Sequence, residues 1–171
     1  MDIAGAEAVV KRLLASWEAR DFEAFVACLS DDVEWYDPAM PDPPARGRAA
    51  VRAFSEAVVR AFPDFRYEVL PPICFAVDGS RCAVKWRISG SHLARLEPPG
   101  YAPTGRRAEF EGVDVLDFEG GQVRQIMTVF DPLPAAEQLL GVRLRPTPGT
   151  WRGFFAVQVQ RVAAWLARRR R

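Results

Sequence analysis

The residues of this chain best suited to chemistry are a carboxylate and a histidine on neighbouring strands. Around Asp114 the segment 106–118 alternates with period two. Phe110, Gly112, Asp114, Leu116 and Phe118 therefore share one face, and Glu109, Glu111, Val113, Val115 and Asp117 the other. The first set is the more apolar and is expected to face the interior. A carboxyl among aromatic and aliphatic neighbours loses hydration, its pKa rises, and it becomes a usable general base near neutral pH. The same pattern also admits a plain carboxylate at the sheet rim, hydrogen-bonded or solvated. On the preceding strand Trp86, Ile88 and His92 point the same way, while Lys85 and Arg87 point outward. His92 is the only histidine. It reads either as an acid–base group or as a hydrogen-bonder holding the turn that follows. A further carboxylate, Asp131, stands just before Pro132 and reads either as a catalytic group or as the N-cap of a short closing helix.

Aromatic residues supply the other signal. Trp35, Tyr36 and Asp37 end a first strand beside a run of prolines at 38, 41, 43 and 44. With Trp17, Phe54 and Trp86, and with Ile126 and Thr128 of the last strand, they are candidates to line a pocket for a flat, apolar or aromatic ligand. The alternative is that these rings are ordinary core. One histidine and no paired-cysteine or HExxH spacing argue against a metal site. There is no GxGxxG and no GKS/T, so no nucleotide cofactor is expected, and Gly120-Gly121 reads as a hairpin. Nucleic-acid binding would rest only on terminal arginines without interleaved aromatics, and it is not expected.

The elements that must position these groups change character along the chain. Helical spacing runs from Ala4 to Trp17 (Val9, Leu13, Leu14, Trp17). Asp21 is a candidate N-cap for a second helix carrying Phe22, Phe25, Val26 and Leu29. A short strand over 33–37 precedes the proline loop, which can be neither helix nor central strand. A third helix is predicted over about 48–62, with Val51, Phe54, Val58 and Phe62 on one stripe, stopping at Pro63. Beyond it the period becomes two. Strands are predicted over 65–77, 81–93, 106–118 and 122–130, with hairpins at Asp78-Gly79 and Gly120-Gly121. Helices first and an antiparallel meander afterwards is an α+β order. A curved antiparallel sheet wrapped around helices leaves a cone with a pocket between them. Residues 131–141 read as a closing turn or helix.

The 171 residues are 49% hydrophobic and 26% charged, which fits a globular chain with one main domain. Net charge is +1 but unevenly spread. Residues 1–141 carry all 22 acids and 15 bases, net −7, whereas residues 142–171 carry eight arginines and no acid. The reading is a domain over 1–141 and a basic amphipathic helical extension over 142–171. In the extension Trp151, Phe154, Phe155, Val159, Val162, Trp165 and Leu166 recur at helical spacing, set off by Gly149 and prolines 146 and 148. Docking on the acidic body or on a second copy is the favoured partner, with an anionic membrane as the alternative. Cys28, Cys74 and Cys82 all lie in apolar runs and are expected to be buried thiols. The N-terminus lacks a basic start and a cleavage site, and no apolar stretch is long enough to span a bilayer, so a cytoplasmic location is expected.

The segment SHLARLEPPGYAPTGRRAEFEGVDVLDFEGG, residues 91–121, also has a family character: a Ser-His pair, a Pro103-Thr104-Gly105-Arg106 turn, then GVDVLDF and a glycine hairpin. It resembles the SnoaL-like polyketide cyclases, a branch of the nuclear transport factor 2-like fold. Ala61-Phe62-Pro63-Asp64-Phe65-Arg66 is similar to the turn that closes the long helix in those proteins. The resemblance covers roughly residues 5–141 and implies the same cone-shaped α+β fold. It also implies a homodimer through the outer sheet face, where Val113, Val115, Met127 and Val129 are more apolar than a solvated face needs. The resemblance further implies cofactor-free cyclisation or isomerisation of an aromatic polyketide-type substrate, and the residues read above would then drive the enolisation, Asp114 as base helped by His92 and Asp131. The last strand departs from the family. Where the cyclases have a His-Trp-Asp run ending in the acid–base Asp, this chain has Ile126, Met127 and Thr128, and a threonine hydroxyl does not titrate near neutral pH. The Arg-x-Asp expected of limonene-epoxide-hydrolase-like relatives is also absent around Lys85-Trp86-Arg87. A noncatalytic ligand-binding or protein-interaction module is therefore the alternative.

Overall fold

The helices and strands are those that local sequence chemistry favours. The computed structural model describes residues 2–39, 44–145 and 149–169, apart from the side chains of residues 152, 167 and 169. Pro41, Pro43, Pro146, Pro148, Arg170 and Arg171 lie outside the described residues. Helix α1, Ile3–Glu18, begins at Asp2, whose carboxylate accepts from the Gly5 N–H at 2.8 Å. Its Ala6, Val9, Val10 and Leu13 are buried. Asp21 caps α2, Phe22–Ala27, by accepting from the Ala24 N–H, and Phe25 and Val26 turn inward. Helix α3, Gly47–Ala61, stops just before Phe62 and Pro63. The side-chain oxygen of Asp131 accepts from Leu133 N–H to start α4, Pro132–Leu140, and left-handed Gly141 ends it.

Seven strands form one sheet: β1 Leu29–Tyr36, β2 Ala45–Arg46, β3 Arg66–Val69, β4 Cys74–Phe75, β5 Arg81–Ser91, β6 Arg107–Glu119 and β7 Gln122–Val129. Their order is β2-β1-β7-β6-β5-β3, with β4 also pairing on β5. The curved, unclosed sheet covers the helices, as the α+β reading expects. It differs from that reading in being mixed, because β1 runs parallel to β7. Alternation of residue types carries no strand direction, so the parallel pair had no signature. Two strand bounds also differ. The segment expected over 65–77 breaks at Pro71-Pro72 into β3 and β4, because proline has no N–H to donate to a ladder. Strand β1 starts at Leu29, with an irregular register against β7 between Leu29 and Glu34. That irregular stretch holds Asp31 and Asp32, paired with Arg48 at 2.7 Å and with Arg124 at 3.2 Å.

Val10, Leu29, Val33, Val51, Val84 and Val123 are almost completely buried between helices and sheet. Cys28 and Cys82 are buried, but Cys74 is exposed. Cys74 stands opposite Ala83, on the face opposite to Val84 and Trp86, which corrects the expectation of three buried thiols. The outer sheet face carries Lys85–Glu111 and Arg87–Glu111 ion pairs together with exposed Met127 and Val129.

The chain divides into two compact units at Gly141 and Val142. In the second unit, α5 spans Trp151–Arg169, and the Thr150 hydroxyl accepts from Gly153 N–H at its start. Trp151, Phe154, Phe155, Val159, Val162, Trp165 and Leu166 are all exposed. Among the described residues no helix is long and apolar enough to cross a membrane.

Candidate functional site

Between the inner sheet face and the helices of the first unit lies a cavity of about 840 Å³. Its wall is overwhelmingly apolar, and Trp17, Trp35, Phe54, Trp86, Phe110 and Phe130 supply rings to it. Sheet register brings the polar groups together. Asp114 on β6 stands opposite Val84 on β5 and opposite Thr128 on β7. The Thr128 hydroxyl donates to Asp114 Oδ1 at 2.7 Å and accepts from the Trp35 indole N–H at 2.9 Å. On the other oxygen, Tyr67 donates its hydroxyl to Oδ2 at 2.9 Å. Both Asp114 oxygens are thus oriented, yet an ionised carboxylate offers about four acceptor positions and keeps capacity for a ligand.

Asp114 lines the cavity, so its part exposure is to an apolar chamber. Burial pushes its pKa up, against the opposing pull of hydrogen bonds from Thr128 and Tyr67. The Trp86 N–H pulls in the same lowering sense, although its approach does not meet hydrogen-bond geometry. Burial also raises Tyr67, helped by the charge of Asp114, and it pushes the Cys82 thiol up to about 12. A second carboxylate belongs to the same cavity. Asp37, just past β1, accepts from the Ala39 N–H at 2.7 Å. Burial, and to a lesser extent the charge of Asp114, raises it to about 6.

The candidates read from sequence separate into two groups. Asp114, His92, Trp17, Trp35, Phe54, Trp86, Ile126 and Thr128 all line the cavity. Tyr36 does not: alternation along β1 sends its hydroxyl to Glu34 at 2.8 Å. Asp131 does not line the cavity either and caps α4. His92 lies eight residues along β5 from Val84, the cross-strand partner of Asp114, roughly 25 Å along the strand. At that distance it cannot share a proton directly with Asp114. Its ring stacks on Phe62 at 5.0 Å, and its backbone clasps the following turn through Arg106 O and Gly105 N–H. Burial lowers its pKa. Asp37, expected at the pocket mouth, lines the cavity, whereas Tyr67 is a site group missing from the candidates. Alternation could have found it, since Tyr67 shares parity with Val69, which stands opposite Trp86. Among the described residues, no three His, Cys, Asp or Glu gather as a metal site.

The SnoaL-like domain profile matches residues 10–126. No curated protein matches the chain in sequence. Among solved structures, a candidate polyketide cyclase from Pseudomonas putida superposes with TM-score 0.68 at 24% identity, covering 81% of this chain and 98% of that one. AclR, a candidate hydroxylase from Streptomyces galilaeus, gives 0.65 at 24% identity over 82% and 99%. TsrD from Streptomyces laurentii gives 0.66 at 22% identity over 81% and 97%. The first two differ in the activity attached to them, so the likeness speaks to the fold.

Proposed function

The chain belongs to the SnoaL-like domain family, and on that premise we propose that it binds a flat, apolar ketone and moves a proton next to the carbonyl without a cofactor. The observation that carries this is Asp114: a carboxylate set in a wall of aromatic rings, raised by burial, with both oxygens oriented by Thr128 and Tyr67. In the step envisaged, the C–H bond beside the carbonyl breaks and its proton passes to Asp114. The electron pair forms a C=C bond, and the carbonyl π pair moves to oxygen as an enolate. Return of the proton to another carbon isomerises the molecule. Alternatively, the enolate carbon attacks a second carbonyl of the same molecule, closing a ring, and the resulting alkoxide takes a proton from an acid. Asp37, poised at about 6, is the cavity group suited to that supply near neutral pH. The substrate class fits a polyketide-type aromatic framework.

The test is exchange of the α-protons of 1-tetralone in deuterated buffer, followed by proton NMR. The wild-type chain should accelerate exchange, and Asp114→Asn should reduce that acceleration about 10²- to 10⁴-fold. One observation favours a second reading, a noncatalytic binding module. The Thr128 hydroxyl is committed to Asp114, and by the resemblance this residue stands where the cyclases have their acid–base Asp. Binding of the ketone with exchange no faster than in buffer would select that reading.

A further inference from the structure

The cavity reaches solvent along an apolar rim. Pro38, Ala39, Pro99, Tyr101, Pro132 and Leu140 line it and are exposed at the same time, and among the described residues no charged side chain does both. An exposed apolar border continuous with a cavity marks a ligand groove. Tyr101 is its bulkiest member and is 63% exposed. It belongs to a strap, residues 93–105, that joins β5 to β6. At the base of the strap the Leu93 and Ala94 N–H groups both donate to Ala61 O, at 3.0 and 3.1 Å, and Gly105 N–H donates to His92 O at 2.9 Å. In its middle Leu96 and Tyr101 exchange both backbone bonds at 3.1 Å, across a turn that Gly100 makes at φ +105°. The backbone carrying the ring is therefore held at the rim while the ring itself stays uncovered. The strap is also remote from Asp114 along the sheet. It rejoins β6 at Arg107, seven residues before Asp114, roughly 23 Å of strand.

We propose that Tyr101 is a specificity residue whose ring covers the outer end of a long, flat ligand with its ketone toward Asp114. The ligand class is then a linear, uncharged framework several fused rings long, since a bicyclic ketone cannot touch both ends of the cavity. This rests on the ketone-binding reading above and adds the length of the ligand and the residue that reads it. A tyrosine suits the place because its ring face packs on the ligand while its hydroxyl stays in water. The uncharged rim in turn disfavours an ionised outer end, which would lose hydration there without gaining a partner.

The experiment measures binding of 1-tetralone and of its linear four-ring homologue, 3,4-dihydrotetracen-1(2H)-one, by quenching of tryptophan fluorescence in the full chain. Tyr101→Ala should weaken the four-ring ketone about tenfold and leave 1-tetralone, too short to reach the strap, unchanged. Tyr101→Phe, which keeps the ring, should restore the wild-type affinity. Unchanged binding of the four-ring ketone in Tyr101→Ala overturns the assignment. So does an equal loss for both probes, a Tyr101→Phe chain as weak as Tyr101→Ala, or no binding of the four-ring ketone to the wild type up to its solubility limit. Tyr101-dependent binding without catalysed α-proton exchange would sink the enolisation reading and leave this assignment standing.

Discussion

Thr128 faces Asp114 directly across β6 and β7, and its hydroxyl both donates to the carboxylate at 2.7 Å and accepts from Trp35 at 2.9 Å. A residue without acid–base chemistry thereby sets the orientation of one that has it. Thr128→Val keeps the shape and removes both bonds. It should destabilise the chain by about 1–3 kcal/mol, since the Trp35 N–H and one Asp114 oxygen lose their partner. The Thr128 bond lowers the Asp114 pKa, so its loss should move that pKa further up. Urea unfolding and a ¹³C carboxyl titration check the two effects, and a downward move of the Asp114 midpoint would contradict this account.

Asp37 supplies a pH signature. Its pKa is raised in the folded state from 3.8 to about 6. A carboxyl raised on folding binds more protons folded than unfolded, so its contribution is fully present below about pH 4 and is lost as pH rises through about 6. The shift corresponds to at most about 3 kcal/mol. Asp37→Asn should remove that decline, giving a flatter stability profile between about pH 4 and 6 than the wild type. Urea midpoints across this window decide, and parallel profiles for the two proteins would rule the assignment out.

Much of this site could be read in period-two alternation, and the rest could not for identifiable reasons. Phe110, Asp114 and Leu116 line the cavity because β6 keeps its alternation up to the irregular register at Asp117 and Phe118. Trp86 and His92 follow from the same rule on β5. On β1 the same rule turns Tyr36 to the face opposite Trp35, against the pocket expectation for both. The chemistry of Asp37 and Tyr67 is tertiary: each matters because burial and the charge of Asp114 act on it, and neither effect is local in sequence. The parallel pairing of β1 with β7, which brings Trp35 opposite Ile126 and within reach of Thr128, leaves no compositional trace at all.

His92 should titrate in the opposite sense from Asp37. Burial lowers its pKa, so the neutral imidazole is the folded form near pH 7. A histidine depressed on folding contributes stability that is present above its unfolded pKa and is lost as pH falls through its folded pKa. As the only histidine it gives a single set of ring proton signals. Their midpoint in the native chain should lie below the ordinary 6.5. His92→Phe, which retains a ring to stack on Phe62, should remove this acid-side loss. A native midpoint above 6.5 would mean that an acidic partner, not desolvation, governs this ring.

Gly112 tests whether Trp86 is held as tightly as its packing implies. Any Cβ at this position would meet the indole carbons at 2.4 Å and the Val129 carbonyl oxygen at 2.8 Å. The second contact is with backbone in the β7 ladder and cannot move aside, and the first is with a ring caged by Phe110 and Phe130. Gly112→Ala should therefore destabilise the chain by about 1–3 kcal/mol through overpacking, although alanine suits a strand better than glycine does. The displaced ring should also change the surroundings of its N–H, so the Trp86 indole resonance should shift. Thermal melts and ¹⁵N NMR of the indole N–H read both effects. A Gly112→Ala chain as stable as the wild type, with an unshifted Trp86 resonance, would show that β6 yields and that the indole is not locked.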